Sequence, residues 1–350
     1  VVKNREYSVM ESEKSFYFRV DVNRFVATGH IMRSLSLAEA ARRLGIHAVF
    51  VFSDCNGVEI VKNKGFEVEV LDSNWNNLNT EIDKLLMLID KRVDVLIVDT
   101  YYASKYYLEK LSEKTRVVYI DDLGKITCSI FGLVCYAPYY DCFDYEERFG
   151  EYGTHLFLGM DYVPLREEFG DVLPRKTKKE IKRVLLLSGG ADRYHIMKHL
   201  VDRLSHQKRI RIDVICGHYN NDYYEIETLY RNNKWINIYK SVEKIDEYMK
   251  NADLAISAGG TTMYELCACG TPTISYSFVD NQIDNVLAFE KLGLMDYAGD
   301  IRSVDVFSNI THLFEKNLDY GLRCERSFKM QRLLDGKGAI RIIEEICRYI

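Results

Sequence analysis

The feature that most constrains this chain is a twice-repeated alternation of short apolar runs with amphipathic stretches. FYFRVD (16–21), HAVFVF (47–52), FEVEVL (66–71), VDVLIVD (93–99) and RVVYID (116–121) have the length and the β-branched or aromatic content of buried strands. Between the first two lies HIMRSLSLAEAARRLG (30–45), which sets Ile31, Leu35, Leu37, Ala38 and Ala41 on one helical face. Strand–helix–strand alternation predicts parallel βαβ units wound on both faces of a sheet. The pattern falters between 122 and 180, where VPLREEFGDVLPRKTKKEIK (163–182) carries two of the four prolines and no apolar period, as a linker does. It then resumes with KRVLLLS (182–188), RIDVIC (211–216), WINIYK (235–240), DLAISA (253–258) and TPTISYS (271–277). The expected fold is α/β: two Rossmann-type, doubly wound parallel-sheet domains whose carboxyl ends face a cleft. The boundaries read as an extension over 1–15, an N-terminal domain over 16–160, a linker over 161–180 and a C-terminal domain over 181–335. A terminal helix over 336–350 is in position to cross back to the first domain.

Composition narrows the function. At 350 residues the chain is too long for one ordinary core and suits two domains of about 150 residues each. Its 47 basic residues against 52 acidic ones, a net charge of −5, exclude a general nucleic-acid binder. No apolar run approaches the ~20 residues of a membrane span, and VVKNREYSVMESEKSF lacks the apolar core of a signal peptide. The expectation is a cytoplasmic protein with no stable membrane association; a monomer is compatible with the sequence. The nine cysteines include no CxxC, only Cys267-x-Cys269, and read as small buried thiols in a reducing compartment. With no P-loop, HExxH or EF-hand pattern, the expected chemistry needs neither metal nor cofactor.

Three strand-to-helix turns carry small residues where an anion can dock: Ala27-Thr28-Gly29-His30, Ser188-Gly189-Gly190-Ala191-Asp192 and Ser257-Ala258-Gly259-Gly260-Thr261-Thr262. Glycine lets backbone approach a ligand, and the free N–H groups of a helix's first turn bind phosphate, although a plain βα turn favours glycine too. Glu265, three residues past Thr262, is spaced to accept bonds from two ribose hydroxyls while the turn holds a diphosphate; a solvated helix surface is its other reading. Neither Gly-Gly turn contains Arg or Lys, which leaves phosphate binding to backbone N–H groups and helix dipoles. His30 opens a helix at the mouth of the first sheet, where the helix's positive end favours a neutral ring able to act as a general base. His47, His195, His199, His206 and His312 have no neighbours that suggest chemistry, and His155 and His218 no matching constellation.

RVDVNRFVATGHIMRSLSLAEAARRLG resembles the opening of the UDP-sugar hydrolase family of pseudaminic acid biosynthesis, whose pattern is roughly R-x-D-x(5)-G-x-G-H-x-x-R. The resemblance continues in VDTYYAS, YIDD, LGMDYVPLREEF, LSGGADR and SAGGTTMYELCACGTPTISYSFVDNQ, over about residues 16–295. It implies a GT-B-like, metal-independent enzyme that hydrolyses UDP-2,4-diacetamido-2,4,6-trideoxy-β-L-altropyranose to UDP and the free sugar, with inversion. By that resemblance His30 activates water, Gly29 and Arg33 complete the first motif as substrate-binding residues, Tyr101 and Asn281 (of the substrate-binding Asn281-Gln282 pair) contact the sugar, and Glu265 binds the nucleotide. The pattern's first glycine is Ala27 here.

In the mechanism these readings combine into, UDP lies along the C-terminal domain with its diphosphate on Gly189-Gly190 and Gly259-Gly260 and its ribose on Glu265. His30, from the other domain, deprotonates water. Asp21 either orients the water or His30, or pairs with Arg19. Alternative readings are a GT-B glycosyltransferase that uses the same UDP-sugar with a sugar or lipid acceptor, and a sensor that binds without turnover.

Overall fold

The computed structural model of the chain describes residues 14–23, 26, 28–90, 93–189, 192, 194–206, 209–217 and 220–350. Within them each apolar run read as a strand is one. The first sheet is built from β1 (Ser15–Val20), β2 (His47–Phe52), β3 (Glu67–Val70), β4 (Val95–Asp99), β5 (Arg116–Ile120), β6 (Gly132–Cys135) and β7 (His155–Leu158). The second is built from β8 (Arg183–Leu187), β9 (Arg211–Cys216), β10 (Ile236–Lys240), β11 (Leu254–Ala258), β12 (Thr273–Ser277) and β13 (Asp296–Asp300). β6, β7 and β13 are too short or too polar to stand out as apolar runs. β6 and β7 fill part of the 122–180 stretch in which the alternation falters.

The spatial orders are β3-β2-β1-β4-β5-β6-β7 and β10-β9-β8-β11-β12-β13, with every pairing parallel. In each sheet the chain starts in the middle, winds to one edge and returns to build the other side. The crevices between β1 and β4 and between β8 and β11 are therefore the switch points at which open α/β sheets bind ligands. Strand runs such as VLIVD and LAISA are buried throughout because helices cover both faces.

The helix Gly29–Arg43 follows β1. Ile31, Leu35 and Ala38 are buried on its inner face, Arg42 and Arg43 complement the dipole of its last turn, and Gly45 ends it at φ +73°. The helix Gly338–Arg348 packs against it and carries the end of the chain onto the first sheet's layer. Its Ile342, Ile343 and Ile346 are fully buried, which at ~1.5–3 kcal/mol per side chain makes this contact a substantial tie between the two halves. Beneath the first switch point, Arg19 is wholly enclosed. It donates Nε and Nη2 to Glu81 (2.6 and 2.9 Å) and Nη1 to Asp21 (2.6 Å), while Tyr107 and Ser73 also donate to Glu81.

Val163, Leu165 and Phe169 of the aperiodic stretch are buried, so this segment is packed between the sheets. Cys128, Cys135, Cys216, Cys267 and Cys269 are buried free thiols; Cys55, in a bend, and Cys142, in the short 3-10 helix Tyr140–Phe143, are exposed, against the expectation of burial. Among the described residues no helix is long and apolar enough to cross a membrane, and no group of three or more His, Cys, Asp or Glu is arranged to hold a metal ion.

Candidate active site

Parallel pairing sets the two crevices. Val20 lies opposite Asp99 in the β1–β4 ladder, so the turn that leads into His30 emerges beside the carboxylate ending β4. Ser257 lies opposite Leu187 in the β11–β8 ladder, which brings the Gly189 and Gly259-Gly260 turns side by side. The two crevices meet. A methyl group on Gly29 would lie 3.6 Å from Thr261 Cγ2, and Tyr136 from the first half meets Tyr264 of the second edge-to-face at 5.4 Å. A cleft opens there, lined among others by Gly29, Arg33, Arg166, Thr261 and Glu265.

On the first side, His30 is 6% exposed and its Nδ1 lies 2.5 Å from Asp99 Oδ1. A carboxylate only accepts, so Nδ1 carries a proton, and in the neutral tautomer this selects, the lone pair is on Nε2. Arg33 Nη2, 3.1 Å from the same Nδ1, therefore does not bond to it and donates to Asp99 instead. Arg33 gives Nε and Nη2 to Asp99 (2.7 and 2.5 Å), Nη1 to Tyr136 (2.5 Å) and to Asp122 (2.9 Å). Burial would raise the Asp99 pKa, but the charge and hydrogen bonds of Arg33 and His30 hold it well below the usual carboxylate range. Asp99 thus stays ionised and fixes both the tautomer and the ring plane of His30. Tyr101 packs its ring edge-on to His30 at 4.4 Å, with Asn281, from the other half, near its phenol. Burial, with Asp122 nearby, pushes the Tyr101 pKa up and keeps its hydroxyl protonated.

Two residues of the first motif, Asp21 and Arg33, are tied to side-chain partners. Asp21 does not reach His30: one oxygen takes Arg19 and the other takes the N–H and Oγ of Ser53, which leaves the Arg19 pairing of its two readings. Arg33, which also lines the cleft, gives its donors to Asp99, Asp122 and Tyr136 and so braces the carboxylate that holds His30.

On the second side, Gly189 has φ +75° with open space around its Cα, a backbone that favours glycine. Gly190, like Ala27 and His218, lies outside the described residues. The Gly259 and Gly260 N–H groups already donate to the Tyr276 and Ala258 carbonyls (2.8 and 2.9 Å), so the glycines themselves do not offer donors to a phosphate. Gly259 is needed for packing, since a Cβ would fall 2.3 Å from Val286 Cγ1; at Gly260 the nearest atom is Gln282 Nε2 at 4.0 Å. The start of the helix Thr262–Ala268, with Thr261 before it, is the part of this turn open to a ligand. Gln282 accepts from the Phe278 N–H (3.1 Å) and holds the neighbouring loop. Glu265 keeps 16% of its side chain exposed and bonds Arg166 Nη2 at 2.8 Å. Burial raises its pKa, and Arg166 opposes that rise.

The sequence reading omitted four participants: Asp99, Asp122, Tyr136 and Arg166. Asp99 had a legible signal, a carboxylate closing the apolar run VDVLIVD at the ligand-facing end of its strand. Arg166 sits in the proline-bearing stretch read as a linker. A second histidine–carboxylate pair also went unread: exposed His195 has its Nδ1 2.6 Å from Asp222 and a raised pKa through that hydrogen bond.

With this geometry in hand, comparison with known proteins is informative. Residues 184–332 match the glycosyltransferase family 28 C-terminal domain. The chain spans little more than half of two curated relatives. It covers 52% of the uncharacterized protein MJ1062 of Methanocaldococcus jannaschii, at 27% identity over 70% of this chain. It covers 58% of the UDP-N-acetylglucosamine–N-acetylmuramyl-(pentapeptide) pyrophosphoryl-undecaprenol N-acetylglucosamine transferase of Helicobacter pylori, at 32% identity over 57% of this chain. The spore coat polysaccharide biosynthesis protein SpsG of Bacillus subtilis matches at 24% identity over 90% of this chain and 92% of its own length. Among solved structures, Acinetobacter baumannii MurG superposes with a TM-score of 0.66 over 96% of this chain and 99% of that one. The chain has a GT-B-like fold. At 13% identity the likeness to MurG is one of fold.

Proposed function

We propose that this protein transfers a glycosyl group from a UDP-linked sugar, with His30 as the base that takes the proton of the attacking hydroxyl. The observation that carries this reading is the buried His30–Asp99 pair, held on the helix whose first residue, Gly29, lines one cleft with Thr261 and Glu265 of the opposite half. The sequence match to a glycosyltransferase C-terminal domain supports a nucleotide-sugar donor, as does the likeness to a transferase named for UDP-N-acetylglucosamine. In the proposed complex the nucleotide lies along the second half (181–335), with its diphosphate at the Gly189-Gly190 and Gly260-Thr261-Thr262 turns and its ribose at Glu265. Tyr101 and Asn281 contact the sugar. The hydroxyl proton moves to His30 Nε2 while its oxygen bonds the anomeric carbon from the face opposite UDP. The bond from that carbon to the β-phosphate oxygen breaks, and UDP leaves with the electron pair. Asp99 stabilises the imidazolium that forms; a positioned base of this kind contributes ~10²–10⁴ in rate.

A second reading takes water as the nucleophile, as in hydrolysis of UDP-2,4-diacetamido-2,4,6-trideoxy-β-L-altropyranose for pseudaminic acid synthesis. The enclosure of His30 favours it: the ring is 6% exposed, with Tyr101 edge-on at 4.4 Å, which suits a small nucleophile. One assay separates the two. UDP release is followed from UDP-N-acetylglucosamine and from the diacetamido donor, with a metal chelator, with and without sugar or lipid acceptors. Release that needs an acceptor supports transfer; release from the diacetamido donor alone supports hydrolysis. Tight donor binding with no release under any condition refutes both.

A further inference from the structure

A group of aromatic side chains beside His30 has no part in the mechanism above. β4 ends at Asp99, and the turn after it runs Thr100-Tyr101-Tyr102. Tyr101 lies against His30 at 4.4 Å. Tyr102, the next residue, is 42% exposed and meets Trp75 edge-to-face at 5.1 Å, the two rings 86° apart. Trp75 comes from the loop after β3, LDSNWNNLNT (71–80), which sets it among exposed Asn74, Asn76 and Asn77. This loop is held firmly. Leu78 is buried, the Ser73 N–H donates to the Ser53 carbonyl (2.9 Å), and the Ser73 hydroxyl donates to Glu81 (2.6 Å). Lys84 Nζ donates to the Leu71 and Asp72 carbonyls (2.7 and 3.0 Å). Ser104 Oγ donates to Asn79 Oδ1 (2.9 Å), which ties the loop to the segment that carries Tyr102. Core packing does not account for a fixed loop that leaves a tyrosine and three amides exposed around a half-buried tryptophan, because packing would enclose the rings.

We infer that Trp75 and Tyr102 form a corner that binds a carbohydrate acceptor, whose attacking hydroxyl reaches His30 past Tyr101. This rests on the transfer reading of the cleft. The C–H groups on the apolar face of a pyranose carry partial positive charge and pack against the electron-rich face of an aromatic ring. Two rings near a right angle supply such a face and a wall beside it. The hydroxyls around a sugar's rim need groups that both donate and accept, and the side-chain amides of Asn74, Asn76 and Asn77 do both. A lipid chain has no use for three amides, so the mixture of rings and amides selects a saccharide. The position fits as well: Trp75, Tyr102 and His30 all belong to the first half, and a hydroxyl that attacks from the face opposite UDP comes from that half. A loop already tied at Ser73, Leu78 and Asn79 loses little freedom when the sugar binds.

Trp75 and Trp235 are the chain's two tryptophans, so Trp235→Phe leaves Trp75 as the single tryptophan reporter. Methyl glycosides of glucose, galactose, mannose, rhamnose and N-acetylglucosamine are titrated into this variant with UDP present, following tryptophan emission. The same glycosides serve as acceptors in UDP release from the two donors named above. At least one glycoside is expected to change the emission saturably and to stimulate release. For that glycoside, Trp75→Ala and Tyr102→Ala are expected to raise KM ~5- to 50-fold, the size of a lost aromatic contact, with donor affinity within about twofold. Trp75→Phe keeps an aromatic face and is expected to raise KM less than about threefold. Thermal unfolding controls for folding; should Trp75→Ala not fold, Tyr102→Ala and the emission titration decide. An unchanged KM in the folded variants, a KM that rises only together with that for the donor, or stimulated release with no change in Trp75 emission overturns the assignment. So does release that needs no acceptor, or that answers to a lipid and to none of the glycosides; the UDP-sugar reading survives both. Absence of release from either donor under every condition refutes that reading itself.

Discussion

Asp99→Asn removes one charge and almost no volume from the centre of the site, and its consequences follow from the bonds Asp99 makes. The carboxylate accepts four: from His30 Nδ1 and Arg33 Nη2 at Oδ1, and from Arg33 Nε and Ser34 Oγ at Oδ2. An amide has one accepting oxygen and one donating nitrogen. If the nitrogen faces His30, two donors oppose and the ring must move its proton to Nε2, which destroys the base. If it faces Arg33 Nε, the guanidinium loses half of its fork. Breaking a buried ion pair costs ~3–5 kcal/mol, but Asp122 still holds Arg33 Nη1 at 2.9 Å, so a loss of about 1–3 kcal/mol in unfolding free energy is expected. The effect on turnover is larger, ~10²–10⁴ in kcat, the contribution of a correctly oriented base. Single-turnover UDP release gives the rate and urea unfolding the stability. Asp122→Asn is the control, since it loosens Arg33 without touching His30: a stability loss of similar size is expected, with kcat within about tenfold. An Asp99→Asn enzyme with kcat within threefold of wild type would refute the pairing as part of the chemistry.

Three further outcomes follow from the same geometry. Gly259→Ala drives a methyl group into Val286 and is expected to cost ~1–3 kcal/mol in urea unfolding, whereas Gly260→Ala, with open space, should stay within about 0.5 kcal/mol. Tyr101→Phe removes the phenol proposed to contact the sugar while keeping the ring against His30, so KM for the donor should rise with the fold intact by circular dichroism. Asp99 and Asp296 titrate below the usual carboxylate range because, against burial, Arg33 and His30 favour the ionised form of one, and Arg326, Lys316 and Asn317 that of the other. Groups with depressed folded pKa values stabilise the protein fully above their unfolded values near ~4, and that contribution disappears as pH falls through the folded values. Unfolding free energy should therefore drop steeply below about pH 4, and Asp296→Asn should flatten part of that slope.

The strands that carry the site were legible because both faces of each are buried, which writes them as unbroken apolar runs. The turn glycines and His30 were legible because a ligand-facing βα turn restricts residue type locally. What could not be read were partners fixed by register. Asp99 reaches His30 only because β4 lies beside β1 with Val20 opposite it, and that adjacency is a property of strand order. Arg33 reads as a substrate ligand in its motif; the two carboxylates that take its donors lie 66 and 89 residues away. Gly259 and Gly260 are neighbours with the same local signal, and only the position of Val286 shows that the first is there for packing. Arg166 was hidden by composition. Val163, Leu165 and Phe169 bury one side of its segment, but prolines and charges break the periodicity that would have revealed it.

Single-turnover UDP release by His30→Ala, at saturating UDP-sugar and with UDP affinity measured alongside, isolates the proposed base from nucleotide binding. UDP affinity within about twofold of wild type, with release slowed ~10²–10⁴-fold, is the expected result. Release at the wild-type rate from the variant would contradict a role for His30 in the reaction.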